Sequence, residues 1–171
     1  MDSISGYIFE AGMLKRVKRS GWWAEGITSQ ESVADHSFRA AIIAFVLAKM
    51  EGADDEAANR ICTAAVFHDM HEARLGDMHK ITARYVKVTR ELELKVEREQ
   101  AVGMPQALRK AVLGTLDLTE TEHTILKDAD YLDACRTKRN TVEYDYVGGA
   151  SASDANELLY FASGLKTDVL Q

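Results

Sequence analysis

The sequence predicts an all-α protein, and three observations carry that prediction. Pro105 is the only proline in 171 residues, so little interrupts a helix. Ala, Leu, Glu, Lys and Arg, which lose least on entering a helix, are abundant. No stretch alternates apolar and polar residues long enough to make a convincing strand, and there is no internal repeat or low-complexity tract.

The helices are expected in the following order. Residues 3 to 18 place Ile4, Ile8, Met13, Leu14 and Val17 near helical spacing, with Ser3 or Ser5 as cap and an end near Ser20-Gly21. Gly21 to Gln30, with two glycines and the pair Trp22-Trp23, reads as a loop. A second helix starts near Glu31 and runs to about Met50, and its run from Ala40 to Ala48 is apolar on all sides, the mark of a central buried helix. Asp54 or Asp55 caps a third, apolar around Ile61, Ala64, Ala65, Val66 and Phe67, that reaches His68-Asp69.

Beyond Gly76, Ile81 to Val102 is long, charged and amphipathic, and Pro105 opens a helix to about Leu116. Thr119, with Glu122 three residues on, carries a capping-box signature for a helix running towards Arg139. Val147 to Asp154 reads as a loop and Ala155 to Leu170 as a last helix.

A chain of this length suits one domain over residues 1–171, burying about 70% of its unfolded surface. With 46% hydrophobic and 28% charged residues its composition is that of a globular protein. No apolar run approaches the roughly 18 residues of a membrane helix, so no membrane partner is expected. The start, Met1 to Tyr7, lacks a basic region followed by an apolar one, so a cytoplasmic location is expected. In that reducing setting Cys62 and Cys135, without a CxxC partner, read as small buried residues. A formal charge of −6 argues against long nucleic acid, while a mononucleotide needs only a local basic group.

The ionisable groups concentrate where the third helix ends: His68-Asp69, Glu72 and Asp77. Adjacent helical residues point about 100° apart, so His68 and Asp69 share an ion only close to the helix end. Such an ion needs ligands from other helices, for which His36 and Asp130 are donors in buried settings. His36, His68, Asp69 and Asp130 together offer two imidazoles and two carboxylates, one arrangement among several that composition allows. Mixed nitrogen and oxygen ligation with open positions suits Mn²⁺, Co²⁺, Fe²⁺, Ni²⁺ or Mg²⁺ better than structural zinc. A metal so held lowers the pKa of bound water and neutralises phosphate charge.

The chain order narrows the choice. Glu31-Ser32-Val33-Ala34-Asp35-His36-Ser37, His68-Asp69-Met70-His71-Glu72-Ala73-Arg74-Leu75-Gly76-Asp77 and Lys127-Asp128-Ala129-Asp130-Tyr131-Leu132-Asp133 resemble the three motif blocks of HD-domain metal-dependent phosphohydrolases, in the 5′-deoxynucleotidase branch. The resemblance covers about residues 10 to 170. It implies a single-domain helical HD-domain bundle, usually a homodimer, that hydrolyses (deoxy)nucleoside 5′-monophosphates to nucleoside and phosphate through a metal-activated water. By the same resemblance one divalent ion, Co²⁺, Mn²⁺ or another metal including Mg²⁺, is held by His36, His68, Asp69 and Asp130. Glu72 corresponds to the catalytic carboxylate near the metal water, and Asp77 to the residue that handles protons at the scissile ester.

Both roles fit the local sequence. Glu72, four residues after His68, shares its face if the helix continues one more turn, and Gly76 lets the chain turn sharply so that Asp77 comes back over the site. Arg19-Ser20-Gly21-Trp22-Trp23 resembles a substrate-facing Arg-x-Gly-Trp region, making Arg19 the phosphate clamp and Trp22 the packing surface for sugar or base. The best-characterised bacterial branch has arginine directly before the tryptophan, where this chain has Gly21, so Arg19 must reach further or Arg16 or Lys18 must substitute. Met78-His79-Lys80 is a second departure, where relatives more often show proline with Ser or Thr.

Other readings keep parts of this assignment. The same metal site serves hydrolysis of a nucleoside triphosphate, an alarmone or a cyclic dinucleotide, or forms the structural centre of a non-catalytic helical binding protein. His71 reads as a partly exposed neighbour of the site, His79 and His123 as surface residues, and Asp128 and Asp133 as solvated or locally paired acids.

Overall fold

A computed structural model describes residues 3–21, 29–79 and 81–144, with side chains to Cys135. The chain divides into two compact units, Met1–Ala134 and Cys135–Gln171. Of the second, only the helical backbone up to Tyr144 is described. Trp22 and the expected final helix, Ala155 to Leu170, lie outside the described residues.

Within the first unit the helices are α1 (Ile4–Met13), α2 (Val33–Met50), α3 (Asp55–Phe67), the one-turn α4 (Glu72–Leu75), α5 (Arg90–Gln100) and α6 (Gln106–Leu113). Helix α7 (Glu120–Tyr144) begins there and runs into the second. No strand appears among the described residues beyond an isolated antiparallel bridge between Lys18 and Ser32. The all-α expectation holds.

The helix starts follow side-chain chemistry. Ser3, Ser32, Asp54 and Thr89 each accept a hydrogen bond from a backbone N–H in the first turn, satisfying donors that a helix leaves open. Ser32 and Asp35 close a reciprocal capping box at α2. Thr119 and Glu122 do the same at α7: Thr119 N–H donates to Glu122 at 2.9 Å and Glu122 N–H returns to Thr119 Oγ1 at 3.3 Å. Glu122 also accepts from Arg60 of α3 at 2.7 Å, so this cap ties α7 to α3.

The core is built from small residues. Ala41, Ala44 and Ala48 of α2 meet Ala58, Ile61, Ala64 and Ala65 of α3, with Ile125, Leu126 and Ala129 of α7 closing the cluster. Alanines in register let the helix axes approach closely, so one helix end delivers its polar side chains next to another. A second cluster of Leu14, Val33 and Met70, with Tyr7 and Phe67 against it, holds α1 and the start of α2 to the segment after α3.

Three expectations change. Helix α2 buries one face and leaves Phe38, Ile42, Phe45 and Val46 in solvent, because alanine supplies its contact stripe. Helix α1 ends at Met13, not near residue 18. The amphipathic run from 81 to 102 is a single 3₁₀ turn, Thr82–Arg84, followed by an eleven-residue helix capped by Thr89.

Candidate metal centre

Three helices converge on one point. α2 brings His36 from its first turns, the end of α3 brings His68 and Asp69, and the middle of α7 brings Asp130. Donor atoms of His36, His68 and Asp130 all lie within 4.8 Å of one another. His36 Nε2 is 3.0 Å from Asp130 Oδ1 and 3.7 Å from Asp69 Oδ2, and His68 Nε2 is 3.2 Å from Asp69 Oδ2. His36, His68 and Asp130 therefore form one donor cluster, with Asp69 against its two imidazoles.

The imidazoles are held with the correct nitrogen inward. His68 Nδ1 lies 2.8 Å from the carbonyl oxygen of Ala65, which only accepts, so Nδ1 carries the hydrogen and Nε2 keeps its lone pair. His36 is buried, and its Nδ1 lies 2.7 Å from the carboxylate of the fully buried Asp133. Among the described residues the buried Nε2 of His68 and Oδ2 of Asp69 have no hydrogen-bond partner, and the buried Nε2 of His36 meets only carboxylate oxygens, of Asp130 and Asp69. Orphaned buried polar atoms are costly, and two lone pairs with a carboxylate oxygen are the donor set a divalent cation takes. The residues fit a metal.

Electrostatics agree. Burial opposes a charge on His36, but Asp130 and Asp133 outweigh it and raise its pKa to about 9. Those carboxylates favour a positive charge at that spot, which a divalent ion would supply as well as a proton. Asp130 is likewise held below the ordinary carboxylate value, its burial overcome by His36.

Glu72 does not sit on a continued α3. The helix stops at Phe67, a turn intervenes, and Glu72 opens α4. The turn still returns its side chain to the cluster: carboxylate oxygens of Asp69 and Glu72 and a ring nitrogen of His71 lie within 4.8 Å of one another. Burial first, then the negative charges of Asp69 and Asp77, push the Glu72 carboxyl up to about 9. Glu72 Oε2 is buried and has no hydrogen-bond partner among the described residues. His71 also lies against Glu97 and Glu93, at 3.6 and 4.0 Å.

Asp77 follows Gly76, whose φ of 75° and ψ of 159° belong to a region nearly closed to other residues. That turn aims the Asp77 carboxylate at the backbone N–H of Ser20, from which it accepts a hydrogen bond. Arg19, next to Ser20, lies across the site with its guanidinium 3.7 Å from Asp69 and 3.8 Å from Asp130. Arg16 and Lys18 are exposed, so Arg19 is the member of that basic run placed at the donors.

Asp133 corrects the sequence reading. Expected as a solvated or locally paired acid, it is fully buried and bridges His36 to Arg39, which donates from Nε at 2.8 Å and Nη2 at 3.1 Å. Arg39 is also paired with Glu31. The signal for Asp133 was its position three residues after Asp130, one helical turn along the same face.

A family model for the HD domain matches residues 11–154. The human protein 5′-deoxynucleotidase HDDC2 is 31% identical over 145 residues, which span 84% of this chain and 69% of that protein. The crystal structure of genomics APC5600 is 34% identical, with a TM-score of 0.70 and 95% of each chain covered. A conserved hypothetical protein from Pyrococcus furiosus is 29% identical, with a TM-score of 0.65 and the same coverage.

Proposed function

The chain belongs to the HD-domain family, and from that premise we propose that it is a metal-dependent 5′-deoxynucleotidase, releasing phosphate from (deoxy)nucleoside 5′-monophosphates. The observation that carries this reading is the convergence of His36, His68, Asp69 and Asp130 beside a further buried carboxyl, Glu72. The name of the human relative supports the substrate class.

His36, His68, Asp69 and Asp130 would hold the metal, Co²⁺, Mn²⁺ or another divalent ion. When bound it neutralises phosphate charge and acidifies water. Glu72, buried beside the donors, would orient the attacking water; a metal ion bound next to it would keep the carboxyl ionised, so that it could take the water's proton. Asp77 serves the leaving 5′-oxygen. Arg19 offers a fork of N–H donors matched to two phosphate oxygens; Trp22 remains its partner in this proposal.

A cleft of about 300 Å³ opens beside Glu72, lined by Gly76, Met78, Val86, Val88 and Thr89 among others. No described helix is long and apolar enough to cross a membrane; that the protein acts as a single domain, as a homodimer and in the cytoplasm is part of the proposal.

Purified protein supplied with Mn²⁺ or Co²⁺ should release orthophosphate from dAMP, dGMP or dTMP, and His68→Ala should abolish the release. Intact monophosphates with every divalent metal tried would refute the reading. Pyrophosphate or tripolyphosphate as product would move the substrate to a longer nucleotide.

A further inference from the structure

We propose that Asp133 is the positioning residue of the metal centre: it fixes which nitrogen of His36 faces the ion, and Arg39 fixes Asp133. The inference rests on the metal-binding part of the proposed function and on this chain's own geometry.

One turn of α7 straddles a single imidazole. Asp130 approaches His36 at Nε2, 3.0 Å away, and Asp133, three residues on, lies 2.7 Å from Nδ1. Two carboxylates on opposite edges of one ring have different duties. Asp130, with its side chain 45% exposed, faces the open site, whereas Asp133 at 0% is sealed behind the ring. An Nδ1–H donated to Asp133 leaves Nε2 as the lone-pair nitrogen, and it blocks the ring flip that would bring carbon to the ion.

The requirement is for a carboxylate. Asp133 receives Nδ1–H from His36 on Oδ2 and two N–H bonds from Arg39, on Oδ1 at 2.8 Å and Oδ2 at 3.1 Å. Both oxygens must accept. An asparagine offers one oxygen and one NH₂, so either His36 or Arg39 would face a donor with a donor. Arg39 is itself held by Glu31, which gives an ordered chain from Glu31 through Arg39 and Asp133 to His36. His68 has a simpler anchor, the carbonyl of Ala65. Outer partners that orient metal-binding histidines typically change affinity by about 10–100-fold when removed.

The test titrates metal-free wild type and Asp133→Asn with Co²⁺ and follows binding itself. We expect Asp133→Asn to bind about 10–100-fold more weakly. In proton NMR of the Co²⁺-loaded wild type, two strongly shifted, solvent-exchangeable ring N–H signals are expected, from His36 and His68, and the variant should lose one. Equal affinity with both signals retained overturns the proposal, even if the variant melts at a lower temperature. Should Asp133→Asn not fold, Arg39→Lys replaces it, since lysine keeps the charge and loses the two-pronged grip. Weaker Co²⁺ binding by that variant supports the chain of contacts, and unchanged binding overturns it. Asp133-dependent metal binding by a protein that cleaves no nucleotide would sink the nucleotidase reading alone.

Discussion

Replacing Gly76 with alanine should separate the geometry of the site from the stability of the fold. Gly76 adopts φ 75° and ψ 159°, and a Cβ built there meets no heavy atom within 4 Å. The penalty is therefore backbone strain alone, about 1–3 kcal/mol. At 1.36 kcal/mol per tenfold, that strain lowers the population of the native turn by roughly 5- to 150-fold relative to a relaxed one. A relaxed turn no longer aims Asp77 at Ser20, so the loss should appear in kcat/KM by a similar factor. Gly52→Ala is the control: Gly52 also has a positive φ, 83°, with open space around it, but lies just past the end of α2, the full helix away from His36. Both variants should melt a few degrees lower, at about 2–4 °C per kcal/mol, and only Gly76→Ala should lose much activity. Wild-type turnover in Gly76→Ala, or an equal loss in Gly52→Ala, would refute the reasoning.

Glu72→Gln should cost roughly 10²–10⁴ in turnover while Co²⁺ affinity, read by titration, stays close to wild type. Arg19→Ala should raise KM for the nucleotide in steady-state assays, because Arg19 supplies the guanidinium at the donors. Chelation should lower the melting temperature, since a ligand present at 100 times its Kd contributes about 2.7 kcal/mol; an unchanged melt argues against tight binding. Glu10 accepts from Arg74 at 2.8 and 2.7 Å, contacts that hold its carboxyl below the ordinary 4.5. Its folded-state pKa is the lower one, so its stabilisation is complete above about pH 4.5 and lost as pH falls through the folded value. Melting of the wild type should therefore drop more steeply in acid than that of Glu10→Gln.

The polar skeleton of the site was legible because its spacing is long-range and its chemistry is specific. The structure brings His36, His68 and Asp130 into one cluster with Asp69 against its imidazoles, and two of the helices that carry them start at caps legible in the sequence, Asp54 and Thr119. Asp54, Thr119 with Glu122, and Ser3 behave as local rules require. Features set by packing were harder to read. The apolar flank of α2 looked buried because hydrophobicity alone does not tell a contact stripe of alanines from the larger residues beside it. The path from His68 to Glu72 depends on where α3 breaks, and nothing in Met70-His71 marks that break. Asp133 was passed over because an acid on a charged helix usually faces water; only the buried His36 on the neighbouring helix makes it an exception.

The two ends of the segment leading out of Arg19 are stitched together. Arg19 N–H donates to the carbonyl of Glu31 at 3.1 Å and Val33 N–H to that of Val17 at 2.9 Å, around the bridge between Lys18 and Ser32. The clasp fixes Arg19 and the cap of α2 whatever hangs between them. A loop closed in this way tolerates insertion cheaply, since doubling its length costs only about 0.6 kcal/mol. Insertions between Arg19 and Glu31 should therefore leave the residues of the clasp in place.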